Sequence, residues 1–278
     1  MTTKRLLFML LATLLPLHVA LAVVVSNLYQ MTIPVPTQSD EVREQAVQAA
    51  FGQMLVKLSG DPHILKNPAI KADVRRADYY VQNFNYSAVT TDSSEYALQV
   101  NYDQTDVNRL LQSAKVSLWN DNRPLLLVWL AVSDADGHTA TLIGSDSDNN
   151  LLNTIQDQSK RYGLPMILPL LDMTDLSQVS FDDVADQHVA TLQAAAARYA
   201  PDGLLIGALQ EDAQGINSQW TLLVNGQRWN WSLTEKVSDD DVTKKIIKGA
   251  FDQVSEALSH HLPTSTLLSD NSQALQSG

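Results

Sequence analysis

The run Leu125-Leu126-Leu127-Val128-Trp129-Leu130-Ala131-Val132 constrains this fold more than any other segment. A nearly unbroken apolar stretch of that length, bounded by turn formers, reads as a strand buried on both faces. Such a strand needs helices on each side, so the fold class is α/β, with parallel pairing expected first. The segments after it supply the layers. A helix is expected over 148–162, ending at Gly163, then an apolar strand over 164–171 and an Ala-rich helix over 186–199. Strands over 204–209, 218–224 and 228–233 come next, the last two joined by Asn225-Gly226-Gln227, a strong hairpin signal. A final helix over 239–258, capped by Ser238, completes a β-α-β-α-β-β-β-α unit with a mixed sheet, placed at 122–262.

The segment before it reads as a smaller α+β unit, placed at 23–119. Ile33-Pro34-Val35-Pro36 is an extended lead-in. Ser39 or Asp40 caps a helix whose stripe of Val42, Ala46, Ala49, Ala50, Met54 and Leu58 ends at Gly60. Asn67-Pro68 opens a short second helix. Residues 79–89 and 96–102 are rich in aromatic and β-branched side chains and flank Thr90-Thr91-Asp92-Ser93-Ser94, which predicts a hairpin. A helix over 103–114, capped near Thr105, closes the unit. The polar connector Trp119-Asn120-Asp121-Asn122-Arg123-Pro124 marks the boundary between the two. Residues 263–278, rich in Ser, Thr and Gln without periodicity, read as a disordered tail.

The N-terminus predicts export. Lys4 and Arg5 precede the apolar run of residues 6–15, and Ala20-Leu21-Ala22 supplies the small-x-small pattern of a signal peptidase site, so residues 1–22 read as a cleavable signal peptide and the location as the periplasm. The alternative is an uncleaved anchor, because Val23-Val24-Val25 lengthen the apolar stretch towards membrane-spanning size. The chain has no cysteine, which removes disulfides, thiolate metal sites, lipidated cysteines and Cys nucleophiles together. Acidic residues outnumber basic ones, 31 to 19, for a formal net charge of −12. Such a surface repels phosphate backbones, and no Lys/Arg cluster with interleaved aromatics offsets it, so nucleic acid is not an expected partner.

No phosphate loop, dinucleotide loop or nucleophile elbow occurs. His260 and His261 are adjacent and diverge on a helix. The loop Asp146-Ser147-Asp148-Asn149-Asn150 has oxygen donors at alternate positions, but Leu151 stands where a calcium loop needs glycine. No metal or other cofactor is therefore expected. Two weak constellations remain. Asp172, Asp175, Asp182 and Asp183 come after the 164–171 segment, where a crevice at strand ends could use paired carboxylates as acid and base on a glycan. The same residues also suit turns and caps. Trp220, Trp229 and Trp231 fall on neighbouring strands and could stack on a ligand or pack in the core.

Several stretches resemble an uncharacterised family of exported Gram-negative proteins, domain of unknown function 2066. They are Val56-Lys57-Leu58-Ser59-Gly60-Asp61, Asn67-Pro68, Tyr80-Val81-Gln82-Asn83-Phe84-Asn85-Tyr86, Leu118-Trp119, residues 123–130, Gly163-Leu164-Pro165, residues 168–172 and Arg198-Tyr199. The resemblance implies export and brings no activity or catalytic residue. The element order is also similar to periplasmic envelope proteins related to the TolB N-terminal domain, including FlgT-type flagellar components and activators of peptidoglycan synthases. That similarity implies a non-catalytic binding or assembly role, with another envelope protein or the cell wall as partner. The membrane would enter only through an uncleaved signal segment, and the alternative function is a carboxylate-dependent hydrolase of wall glycan.

Overall fold

The computed structural model describes residues 23–261 except 26, 89–94, 120, 135, 137, 148–149 and 237–240. The signal-peptide reading of residues 1–22, the hairpin tip, the Ser238 cap and the tail lie outside the described residues.

The chain is a mixed α/β protein built on two main sheets. The order of elements begins with β1 (Val23–Val24), β2 (Gln30–Val35), α1 (Asp40–Ser59), α2 (Pro68–Val74), β3 (Val81–Ala88), β4 (Tyr96–Tyr102) and α3 (Gln104–Ser113). It continues with β5 (Asn122–Arg123), β6 (Leu126–Asp134), β7 (Ala140–Ile143), α4 (Asn150–Tyr162), β8 (Met166–Ile167), α5 (Met173–Leu176), α6 (Phe181–Ala185) and α7 (Val189–Ala196). The last elements are β9 (Gly203–Asp212), β10 (Gly215–Val224), β11 (Gln227–Lys236) and α8 (Val242–His261).

Local signals set the ends of these elements. Ser39 Oγ accepts from the Val42 amide at the start of α1, and Gly60, at φ 71°, ends the helix in the left-handed conformation. Asn67 caps α2 with Pro68 at its first position. The helix expected to be capped near Thr105 is capped instead by Asp103, which accepts from Asp106 N. Asn225 and Gly226 take φ values of 52° and 75°, the left-handed pair a two-residue hairpin needs. They place β10 and β11 in antiparallel register, with Trp220 opposite Trp231.

The smaller sheet has the order β2-β4-β3. The lead-in segment is thus a strand, and its Pro34 is tolerated because β2 lies at the sheet edge. The larger, six-stranded sheet has the order β11-β10-β9-β6-β7, with β8 also paired to β6. Strand β6 runs parallel to β9 and β8, with the antiparallel β10 and β11 beyond, as the sequence predicts. Two expectations are corrected. The apolar stretch 164–171 contributes only Met166–Ile167 to the sheet, because Pro165 and Pro169 have no amide hydrogen to give a ladder. The helix expected over 186–199 starts at Val189, because Asp186 caps α6 and Gln187 takes φ 55°. Strand β7 has too short a pattern to announce itself.

Alternation along β6 divides the interior. Leu126, Val128 and Leu130 face a cluster built with α1, α4 and α8, whereas Leu127, Trp129 and Ala131 face one built with α6 and α7. The first cluster continues without a break from Met31 to Leu258. The connector is accordingly not a solvated hinge. Trp119 and Arg123 are buried, the Trp119 amide donates to Leu58 O at 2.8 Å, and Ser255 Oγ donates to Gly60 O at 2.7 Å.

Candidate functional site

Three of the four aspartates of the 172–183 segment, Asp172, Asp175 and Asp183, have structural partners. Asp172 caps α5, its Oδ1 accepting from Thr174 N and Asp175 N at 3.0 Å each. Arg198, just beyond α7, meets the same carboxylate with both terminal nitrogens at 2.7 and 2.9 Å, a bidentate fork. Asp175 is only 1% exposed. One of its oxygens accepts from Leu171 N at 2.9 Å and the Tyr199 hydroxyl at 2.5 Å, and the other accepts from Arg198 at 3.0 Å. Asp183 closes a capping box with Ser180 and also meets His188 Nδ1 at 3.0 Å. Asp182 is exposed in the first turn of α6.

Electrostatics point the same way. The Arg198 hydrogen bonds hold the Asp172 carboxyl well below the usual carboxylate range, and Arg198 is itself pushed up, first by its bond to Asp172. Ser180 hydrogen bonds bring Asp183 down to about 2. Burial, then the hydrogen bond to Asp175, pushes Tyr199 up. A general acid needs a raised carboxyl, and Asp172 and Asp183 move in the opposite direction. What the cluster can do is hold a segment still.

The segment it holds is apolar and exposed. Leu170, Met173 and Leu176 are 50%, 89% and 58% exposed on and beside α5. Both amides leading into the helix are fixed, Leu170 N by the Tyr199 hydroxyl at 2.9 Å and Leu171 N by Asp175. Leu171 sits at φ 52°, a left-handed conformation that costs a non-glycine residue about 1–2 kcal/mol. Its side chain seats over Gly144, where an added Cβ would come within 2.8 Å of Leu171 Cγ. A strained backbone that presents large apolar groups to solvent departs from local rules in the manner of a functional site.

The tryptophans lie elsewhere. Trp220 is 1% exposed, its indole donates to Ser218 Oγ at 3.0 Å, and its ring lies parallel to Trp231 at 6.4 Å. Trp229 and Trp231 are half-buried against the same cluster as Ile246, Ile247 and Phe251 of α8. The structure therefore does not bring the tryptophans together with the aspartates. A crevice of about 280 Å³ does open at the carboxyl ends of β6 and β9, lined among others by Val132, Thr154, Leu209, Glu211 and Lys244. Applying the strand-end rule to β6 and β9, rather than to the 164–171 stretch, finds it from sequence. Among the described residues no cluster of His, Asp or Glu could hold a metal ion, and no helix is long and apolar enough to cross a membrane.

Residues 22–120 match a family model described as a domain of unknown function, DUF8605, and not DUF2066. No curated protein matches the chain. Among solved structures it is similar to a competence-damaged protein (CinA) superfamily protein from Enterobacter cloacae at 13% identity and a TM-score of 0.28, covering 48% of this chain and 81% of that one. The competence damage-inducible protein A (ComA) of Klebsiella pneumoniae gives 16% identity and a TM-score of 0.30, covering 56% and 95% respectively. Neither is a TolB- or FlgT-type protein, and at these scores neither carries an argument about fold or activity. A domain of unknown function over the first part of the chain is what the comparisons establish.

Proposed function

We propose that this protein is a non-catalytic binding or assembly component of the bacterial envelope, exported to the periplasm, and that it engages a partner protein through the α5 knob. The observation that carries the reading is the exposure of Leu170, Met173 and Leu176 on a segment fixed by Asp172, Asp175, Arg198 and Tyr199. Fixing a segment before binding lowers the ordering cost of association, so the investment in a rigid apolar knob fits docking. The stretch around it also carries Asp172 and the exposed Asp182 and Asp186, in a chain of net charge −12. The complementary surface is accordingly an apolar socket with a basic rim.

Export rests on the Ala20-Leu21-Ala22 pattern, with cleavage after Ala22. The test of the docking reading is site-specific photocrosslinking. A benzoylphenylalanine at position 173 should yield an adduct of one discrete mass in the native cell, and the same group at Ser113 should not. Equal adducts from both positions, or none from 173, would sink the proposal. So would a purified protein that hydrolyses wall glycan and loses that activity on Asp175→Asn.

A further inference from the structure

We propose that the groove along the outer side of α1 is a binding site for a long-chain aliphatic carboxylate. The groove has a volume of about 440 Å³ and lies between α1, the turn before α2, the end of α2 and the last turn of α4. Its floor is aliphatic, formed by Ala49, Gly52 and Val56 of α1, by Leu65 and by Val74 of α2. Leu65 is 40% exposed there. Gln45, Gln48 and Gln53 of α1 and Arg161 of α4 complete the lining, so a single cation stands among neutral groups.

Two observations set this groove apart from a surface depression. The first is Gly52. It lies in the interior of α1, where glycine is the poorest helix former after proline. Its backbone is not left-handed, and a Cβ placed on it would meet only the Leu65 side chain, at 3.4 Å, an ordinary contact. What a side chain at position 52 would take away is space in the groove. A residue that opposes the local preference without a packing gain marks a position held for another purpose. The second is Arg161. Its Nε is shut off from solvent without a hydrogen-bond partner, and no carboxylate among the described residues pairs with the side chain. The guanidinium instead stands 5.5 Å from the Tyr162 ring, so its charge is open to an anion in the groove.

Shape and charge together select the ligand. The lining positions 45, 48, 49, 52, 53 and 56 follow one stripe of α1 over about 16 Å. A volume of about 440 Å³ over that length leaves a channel about 5 Å across, less than half the diameter of a helix. An extended peptide would bring backbone amides for which the aliphatic floor has no partner. An alkyl chain suits both the width and the floor, and burying it supplies affinity. One guanidinium matches one carboxylate, with the glutamine amides as further donors. In a chain of net charge −12 a head group of higher negative charge is disfavoured. This inference does not rest on the α5 knob, and either can fail alone.

The test is isothermal titration of the purified protein with dodecanoate below its micelle-forming concentration. Dodecyltrimethylammonium, with the same tail and the opposite charge, is titrated beside it. Dodecanoate should bind one molecule per chain, at least tenfold more tightly than the cation. Arg161→Met should weaken dodecanoate at least tenfold and erase the preference between the two head groups. Gly52→Leu should fill the floor and abolish binding. Gly52→Ala keeps the test independent of folding, because it should raise the melting temperature by about 2 °C and still weaken dodecanoate. Three results overturn the proposal. They are no saturable binding of dodecanoate, equal affinity of the wild type for both head groups, and full binding by Gly52→Leu. A Gly52→Ala variant that melts below the wild type would also count against it, because the glycine would then be structural.

Discussion

Among the described residues two charged side chains are buried, and they are accommodated in different ways. Asp175, 1% exposed, is met by a cation, a hydroxyl and an amide, from Arg198, Tyr199 and Leu171. Arg123, 0% exposed, is met by dipoles and a ring. Its guanidinium donates to the Tyr162 and Lys57 carbonyls and lies 4.0 Å over the Trp119 ring. Burial pushes it down to about 10, with Asp121 offsetting part of that shift, so it stays charged at neutral pH. The environment of Asp175 neutralises charge and holds one local segment. That of Arg123 ties α1 to the end of α4 through two backbone carbonyls. The contrast assigns Arg123 to the integrity of the whole fold and Asp175 to the shape of one surface.

The largest effect should come from Arg123→Met. It leaves two buried carbonyls without their charged donor, each worth about 1–3 kcal/mol, so a loss of about 3 kcal/mol is expected by urea unfolding. Gly163 allows no compensating side chain nearby, since a Cβ there would stand 2.8 Å from the guanidinium and the residue takes φ 59°. Because the apolar cluster is continuous across the connector, the variant should unfold in one transition detected equally by Trp119 and by the Trp220–Trp231 pair. Two separated transitions would instead mean that the parts at 23–119 and 122–262 fold independently.

Asp175→Ala ranks second. It strips the partner from Leu171 N and from the Tyr199 hydroxyl, while Arg198 keeps Asp172, so a loss of about 2 kcal/mol is expected. The damage should be local. Limited proteolysis should open the chain between Leu170 and Leu176 before the rest, whereas Arg123→Met should raise cleavage everywhere. A global rise for both variants would erase the distinction between a local clamp and a global tie.

These two centres also show where sequence reading stops. Ser39, Gly60, Asn67-Pro68 and Asn225-Gly226 are legible because a cap or turn is satisfied within a few residues. The run 125–132 is legible because burial on both faces leaves an uninterrupted apolar pattern. The Arg123 site is not, because it is closed by a carbonyl 66 residues away and by backbone groups that carry no side-chain signature. Arg198 and Tyr199 likewise reach Asp172 and Asp175 across more than twenty residues, so the aspartates are visible as an acidic run while their partners are not. The β2 strand is hidden by Pro34, which an edge position accepts and a central one would not.

Acid should sharpen the contrast without touching Arg123. A carboxyl held below its ordinary value of 3.8 contributes stability that is complete above that value and disappears as the pH falls through the folded-state value. Asp172 and Asp183 are both depressed, Asp183 to about 2. Stability should therefore decline from about pH 4 to about pH 2 as Asp183 protonates and continue to fall below that as Asp172 follows, with the α5–α6 segment loosening first in hydrogen exchange. In Asp183→Asn the acid decline should be shallower, since one of the two linked groups no longer titrates. An unchanged slope in that variant would place the acid sensitivity elsewhere.

The smallest effect on stability is expected at Met173, and it is the most discriminating for function. At 89% exposure its side chain has little contact to lose, so Met173→Glu should shift unfolding by no more than about 0.5 kcal/mol. The same change places a charge at the most exposed point of the knob, which an apolar socket cannot desolvate without cost. Photocrosslinking from the nearby position 170 should therefore lose its discrete adduct in Met173→Glu, although the melt is unchanged. Asp175→Asn supplies the opposite case. It leaves Leu170, Met173 and Leu176 chemically intact but weakens the contacts that fix them, so the adduct should persist at reduced yield. If Met173→Glu retains the full adduct while Asp175→Asn loses it, the contact runs through the clamp rather than the knob, and the docking surface must be sought on the Arg198–Tyr199 side.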